Sequence, residues 1–337
     1  GTLTPSAVAD PGTFSVLHFE GAGQEVVPVR ILDTMRAAHP STDITTIIGG
    51  SRFPEIVSAY QASGDALVNI GLFTGQMMAR GIEAGMFLPV TEADAPLSAT
   101  ADEGFRLFGD LGTPFNTNLV GLIYRHDLTD PPASWLDLLD EKYAGKVGLY
   151  DAPQGLTIGG LWAVNHALGG DPTTLDAGFE AFAEAARRGQ FATIYNSNQT
   201  QFDAFQRGDC VIGASIVAAQ ANWAAGGAQI DFAVPSEGQL AVPLYLGIVD
   251  GSDDGQIALA IEFVNHMIDP ANLSEYCGLT FAAPAYPDVP TAEALSEHPA
   301  FASDALANLL QVPWTEYAAA EPALIERWNR DVIGNLA

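Results

Sequence analysis

Short apolar runs alternate with amphipathic stretches along most of this 337-residue chain, and that alternation predicts an α/β fold. Thr13-Phe14-Ser15-Val16-Leu17-His18-Phe19 alternates in polarity and reads as a strand. From Gln24 to Ala38, Val27, Ile31 and Met35 recur at helical spacing, and His39-Pro40 stops that helix. Ile44 to Ile48 is a β-branched run, hence a second strand, and Pro54–Ala62 a short helix opened by proline. Leu67 to Phe73 predicts a third strand before a helix at Gln76–Ala84. The first ninety residues therefore predict βαβαβα, one parallel sheet covered by helices.

A second βα region is expected after Asn118, with strands at Leu119–Tyr124, Gly145–Tyr150, Cys210–Ser215 and Ile230–Val234. Helices are expected at 157–168, at 174–188 and from Ser215 to about Ala225, and Ser134 with Asp137 comes close to a capping box. Val242–Val249 reads as a further strand, and Gly255–Ile268 as a helix stopped by Asp269-Pro270. The proline-broken tail predicts helices near 301–311 and 321–333.

Charge removes whole classes of partner. Lys plus Arg total 13 against 41 Asp plus Glu, a formal net charge of −28. A nucleic-acid binder needs a basic footprint, so no nucleic-acid partner is expected, and an anionic membrane surface is disfavoured by the same sign. No apolar run is long enough to span a bilayer. The polar opening Gly1-Thr2-Leu3-Thr4-Pro5 matches a secreted protein after processing, or a trimmed chain. Cys210 and Cys277 are too few for a disulfide framework; two buried thiols are expected, with a single bridge left open.

Catalytic motifs are sparse. Gly21-Ala22-Gly23-Gln24-Glu25-Val26 is a partial dinucleotide fingerprint, but the third glycine is missing and the acidic residue expected about 20 positions on is absent. It reads as a tight strand-to-helix turn, whose free N–H groups can hold a polar ligand group. No two of the six histidines, nor any His–Cys pair, fall at metal-ligand spacing, and no nucleophile elbow or phosphate loop occurs. No metal, cofactor or enzymatic activity is therefore expected, and the balance moves towards a binding protein.

In open α/β sheets, ligands sit outside the carboxyl ends of the strands. That rule selects Phe19, Glu20, Gly49 to Arg52 (with Ser51), Phe73 and Thr74 in the first region. In the second it selects Tyr150 to Gln154 and Ser215 to Ile216. The amide- and hydroxyl-rich loop Asn196-Ser197-Asn198-Gln199 precedes a helix, and Phe115-Asn116 lies where the two regions join. Trp223 and Tyr245 are candidate aromatic walls. Core packing is the competing role for Phe19, Phe73, Phe115 and Trp223, helix capping for Asn196, Ser197 and Asn198, and a solvated turn for Glu20.

The stretch Pro132-Ala133-Ser134-Trp135-Leu136-Asp137-Leu138-Leu139-Asp140-Glu141-Lys142-Tyr143-Ala144-Gly145-Lys146-Val147 resembles a motif of bacterial extracellular solute-binding proteins of ABC importers, in the spermidine/putrescine and iron group. Gly121-Leu122-Ile123-Tyr124, Phe205-Gln206-Arg207-Gly208-Asp209-Cys210-Val211-Ile212, and Val234-Pro235-Ser236-Glu237-Gly238 with Ala260–Pro270 follow in the family's order. The similarity runs from about residue 14 to residue 290. It implies a two-lobed periplasmic-binding-protein-like fold of type II, each lobe a mainly parallel sheet flanked by helices, with a hinge of crossing strands that closes around a ligand. Lobe 1 is expected at 1–118 plus 242–290 and lobe 2 at 119–241 plus 291–337. The implied protein is a periplasmic monomer that passes a small-molecule ligand to ABC importer membrane subunits.

Polyamine-binding relatives carry an acid in the strand after the Pro-x-Glu-Gly segment; here Pro243-Leu244-Tyr245-Leu246-Gly247 has none. The adjacent tyrosines of iron-binding relatives are absent too. The expected ligand is a small polar organic solute, with a carboxylate or amine among its allowed groups. An enzyme of transferase type on the same architecture is the alternative, with His18 and Glu20 as its acid–base pair.

Overall fold

The computed structural model describes residues 10–20, 23–151, 155–317 and 320–336. The chain forms two compact units, Gly1–Thr117 with Pro243–Glu293 and Asn118–Val242 with Ala294–Ala337. Along the sequence the first unit opens with β1 (Thr13–His18), α1 (Val26–Ala38), β2 (Asp43–Ile48), α2 (Phe53–Ser63), β3 (Ile70–Thr74), α3 (Gly75–Glu83) and the short β4 (Phe87–Leu88). Strand β5 (Thr113–Arg125) carries the chain into the second unit. There follow β6 (Val147–Tyr150), α4 (Gly155–Ala167), α5 (Asp176–Arg187), β7 (Phe191–Tyr195), α6 (Asn198–Arg207), β8 (Ile212–Ile216), α7 (Val217–Ala225) and β9 (Ile230–Ala233). Strand β10 (Gln239–Val249) returns to the first unit, which adds α8 (Asp254–Met267), α9 (Pro270–Thr280) and β11 (Ala283–Pro284). The tail belongs to the second unit: α10 (Ser303–Ala307), β12 (Leu309–Gln311), α11 (Trp314–Tyr317) and α12 (Glu321–Asp331).

Each unit repeats one topology. In the first, β1 pairs in parallel with β2 on one side and β3 on the other, and β10 closes antiparallel on β3. In the second, β6 pairs in parallel with β7 and β8, and β5 closes antiparallel on β8. The chain moves from the middle strand to one neighbour, then crosses over to the other. That reversal is a topological switch point, between β1 and β3 in the first unit and between β6 and β8 in the second. It opens a crevice at the carboxyl ends of those strands, where helices are free to diverge.

The cores follow from the apolar periodicity. Val27, Ile31, Leu32 and Met35 form the buried stripe of α1, and Phe14, Val16 and Leu17 are the buried positions of β1. The stretches that carry the resemblance meet as a structural joint in the second unit. Ser134 caps a 3₁₀ turn in a capping box with Asp137, and its hydroxyl donates to Glu237. The Trp135 indole N–H donates to the Gly238 carbonyl at 2.8 Å, while Trp135 itself is fully buried. Gly238 has φ of 113°, a left-handed backbone only glycine adopts without strain.

Several elements differ from the expectations. The helix α8 ends at Met267, before Asp269-Pro270 as expected, but the same pair also starts a helix: Asp269 accepts from the N–H groups of Ala271 and Asn272, and Pro270 opens α9, the first-turn position that proline suits. The helix expected near 301–311 is only the short α10, and Leu309–Gln311 instead pairs in parallel with Gln239–Ala241 of β10. Phe191–Tyr195 forms a strand that the sequence reading did not assign. Cys210 and Cys277 are free and buried, one in each unit, and burial pushes the Cys210 thiol up to about 12.

The N-terminal segment is fastened by His39, which ends α1. Its Nδ1 lies 2.8 Å from Asp10 and its Nε2 3.0 Å from Glu262 on α8, with His266 3.8 Å from the same Glu262. The hydrogen bond to Asp10 raises the His39 pKa above 6.5, with Glu262 adding and partial burial opposing. A raised folded-state value stabilises fully below the unfolded value and is lost as pH rises through the folded one. The melting-temperature gap between wild type and His39→Gln is therefore expected to be largest below about pH 6 and to shrink towards zero above neutrality; a gap constant from about pH 5.5 to 8.5 would contradict this.

Candidate functional site

The second unit gathers a closed polar network at its switch point. The Tyr150 hydroxyl ends β6 and lies 2.6 Å from Asn198 Oδ1 and 2.8 Å from Gln201 Oε1. The Ser215 hydroxyl on β8 donates to the same Gln201 Oε1 at 2.9 Å. Gln201 Nε2 donates to the Ala214 carbonyl at 2.8 Å and to the Tyr195 hydroxyl at 3.0 Å. The carbonyl of Ala214 accepts only, which fixes the orientation of the amide. Gln201, Ser215 and Tyr195 are all essentially inaccessible.

Local sequence builds this arrangement. Ser197 caps α6 in a reciprocal pair with Thr200, which places Gln201 one turn into the helix, facing back over the strands. Glycines let the rings approach: the Tyr195 hydroxyl would stand 2.6 Å from a Cβ at Gly213. Tyr150 and Tyr195 pack edge to face at 4.7 Å. Burial drives both phenols above their ordinary pKa, with the Ser215 hydrogen bond opposing at Tyr150 and nearby Cys210 adding at Tyr195. The network is thus uncharged at neutral pH and offers hydroxyls and amides.

The rest of the loop is less enclosed. Asn196, Ser197, Asn198 and Gln199 are exposed, Ser197 acts as the cap, and Gln199 is tied to Asp203 at 2.8 Å. Trp223 on α7 is half-buried and packs against Phe202 of α6 at 5.5 Å and 37°, so one face of an aromatic pair borders this end of the unit. Gln154 lies outside the described residues.

In the first unit, β1 and β2 run out into Phe19 and Gly49, and β3 ends at Thr74. Gly49 has φ of 89°, and its N–H returns to the His18 carbonyl at 2.9 Å. Ser51 falls in the 3₁₀ turn Gly50–Arg52. A Cβ on Gly50 would stand 3.1 Å from the Phe19 ring and collide with Met77, so these residues meet at the strand ends. Thr74 caps α3, accepting from Met77 N–H at 3.3 Å. Phe19 is half-buried and Glu20 exposed. His18 is 2 % exposed; its Nδ1 donates to the Phe19 carbonyl at 2.8 Å, and its Nε2 has no partner among the described residues.

Three candidate walls turn out to be core. Phe73 is fully buried between Phe53 and Phe87, Phe115 packs on Tyr276, and Tyr245 packs on Phe108, each ring edge to face. Alternation explains it: the strand-end rule picks a position, and the pleat decides which side chain turns into the unit. Asn116 is equally buried, yet neither atom of its amide has a partner among the described residues.

The sequence model described as bacterial extracellular solute-binding protein matches residues 35–303. The chain belongs to that family. Solved structures agree on the fold of this solute-binding protein. An ABC transporter structure from Clostridium perfringens superposes with a TM-score of 0.81 at 16 % identity, covering 95 % of this chain and 99 % of that one. An ABC transporter substrate-binding protein from Bradyrhizobium japonicum gives 0.76 at 19 %, with 95 % and 99 % covered. The spermidine/putrescine substrate-binding protein PotD from Streptococcus pneumoniae gives 0.71 at 13 %, with 94 % and 99 % covered. At such identities the likeness shows the α/β periplasmic-binding-protein fold alone. No curated protein sequence matches the chain. Among the described residues no helix is long and apolar enough to cross a membrane, and no group of three or more His, Cys, Asp or Glu side chains is placed to hold a metal ion.

Sequence reasoning about the solute-binding protein missed Gln201, Phe202 and Met77. For Gln201 a signal existed: it follows the Ser197 cap by four positions, the spacing that stacks one residue over another on a helix face. Gln201→Leu strands two buried hydroxyls and is expected to cost about 1–3 kcal/mol in denaturant unfolding. Gln199→Ala, on the exposed side of the same helix, is expected to stay within about 0.5 kcal/mol; equal effects would contradict the network described.

Proposed function

We propose that this protein captures a small polar organic solute with the strand-end residues of both units and delivers it to the membrane subunits of an ABC importer, acting as a periplasmic receptor. The observation that carries this proposal is the polar network Tyr150–Gln201–Ser215, buried and uncharged at the switch point of the second unit, with Asn198 at its exposed rim. Family membership supports solute capture as its use. At the corresponding strand ends of the first unit, Phe19, Glu20, Thr74 and the Gly49–Arg52 turn supply the second set of contacts. Lobes at 1–118 plus 242–290 and 119–241 plus 291–337, joined by crossing strands, would close on the solute as a monomer. The PotD structure is titled for spermidine and putrescine. For this chain a polyamine has little support, because β10 carries no acid and Glu20 is the carboxylate at the first unit's strand ends. Ferric iron has less, since burial keeps the Tyr150 and Tyr195 phenols protonated.

Catalysis is not part of the proposal. His18 Nδ1 is held by the Phe19 carbonyl, Glu20 is exposed, and no hydrogen bond joins the two among the described residues.

Binding to the folded state alone stabilises it by about 4 kcal/mol at a thousandfold excess over Kd, equivalent to roughly 6 °C for a protein of this size unfolding as one unit. A thermal-shift screen of amines, carboxylates, sugars and amino acids at millimolar concentration is expected to find a compound with a shift of that order. Tyr150→Phe should weaken the binding of that compound by roughly fivefold to tenfold. A screen in which no compound shifts the melting temperature would overturn the proposal.

A further inference from the structure

Resting on the solute-capture function proposed above, we infer that the solute is uncharged where it is recognised, a hydroxyl- or amide-bearing molecule read by the side chain of Asn116, with His18 Nε2 accepting a further solute O–H or N–H. Asn116 lies on β5 in the first unit, opposite Pro284 of β11, one residue before the unit ends at Thr117. It is 0 % exposed, and both Oδ1 and Nδ2 lack a partner among the described residues. The hydroxyls of Thr113, Tyr245 and Tyr276 in the same unit are also buried and unmet, but Asn116 is the side chain unmet at a donor and an acceptor together, and that pairing is what an incoming partner would answer.

The chemistry of the missing partner follows from the amide. Asn116 offers a donor and an acceptor side by side. A carboxylate or phosphate only accepts and would leave Oδ1 facing negative charge. An ammonium only donates and would leave Nδ2 facing positive charge. A hydroxyl or an amide answers both ends. His18 adds an independent constraint. Its Nδ1 faces the Phe19 carbonyl, which can only accept, so Nδ1 carries a proton, and in that tautomer Nε2 presents a lone pair. That atom is buried, lacks a partner and requires a donor.

The charged residues near the strand ends agree. Arg52 is already paired with Glu55, at 2.5 and 2.9 Å, which offsets its charge. Glu20 is exposed and Asp151 half-buried.

The test measures full-length wild type, Asn116→Leu and Asn116→Asp by calorimetric titration and melting. The probes are D-glucose, D-ribose, myo-inositol and N-acetylglucosamine, against putrescine, citrate and inorganic phosphate. A neutral probe is expected to bind and the charged ones not to. Asn116→Leu is expected to leave the ligand-free melting temperature unchanged or higher, because it removes an unmet buried group, while weakening the neutral probe about tenfold or more. Asn116→Asp is expected to weaken it as well. Binding of putrescine, citrate or phosphate with the neutral probes silent would overturn the inference and leave solute capture standing. A ligand-free melting temperature several degrees lower in Asn116→Leu would also overturn it, by showing that the amide is satisfied within the fold. Silence of every probe here and of every compound in the broader screen would remove both the inference and the function beneath it.

Discussion

Parallel strands force their carboxyl ends onto one edge. Each strand of a βα unit delivers its helix from that edge, and where the chain reverses direction across the middle strand the helices on either side part. In this protein that constraint operates twice, around β1 and around β6. The placement of Phe19, Thr74, Tyr150 and Ser215 follows from it. None of these residues needs a motif to reach a strand end, which is why a chain without catalytic signatures still presents organised polar groups.

The two edges are finished differently. In the second unit a single glutamine satisfies three hydroxyls and a carbonyl, so the network is preorganised and holds no net charge. Fixed, neutral dipoles of this kind lose little freedom when a solute arrives. In the first unit several buried groups stand unmet among the described residues, the Asn116 amide and the His18 Nε2 with the hydroxyls of Thr113, Tyr245 and Tyr276. Unmet buried groups cost stability, of the order of 1–3 kcal/mol each, and persist where a partner is supplied from outside. Meanwhile the stretches most like the family, around Ser134-Trp135 and Glu237-Gly238, join to each other and serve folding. They identify the lineage and say nothing of the ligand.

Periodicity made the repeated βα pattern legible, since a strand buried on both faces and a one-sided helix write different spacings. It failed where one residue type serves two purposes. Pro270 marks the stop of α8 that the sequence predicts, yet with Asp269 capping it also starts the next helix, which the sequence reading did not assign. Leu309–Gln311 continues an apolar stretch of the tail, and only its partner Gln239–Ala241, distant in sequence, makes it a strand. For the site, the strand-end rule found the edges but not the facing: Phe73 and Tyr245 turn inward on the pleat, while Gln201 reaches the network from a helix the rule does not consider. Facing depends on packing between distant segments, which a single sequence leaves open.

The central claim is that both strand-end edges serve one solute. Amide hydrogen exchange of the full-length protein, with and without a saturating solute found by screening, tests it most directly. The account predicts protection gained together at 18–20, 49–52 and 74–77 and at 150–151, 196–201 and 215–216. Protection confined to one unit, or gathered instead along α5 and α12, would contradict it.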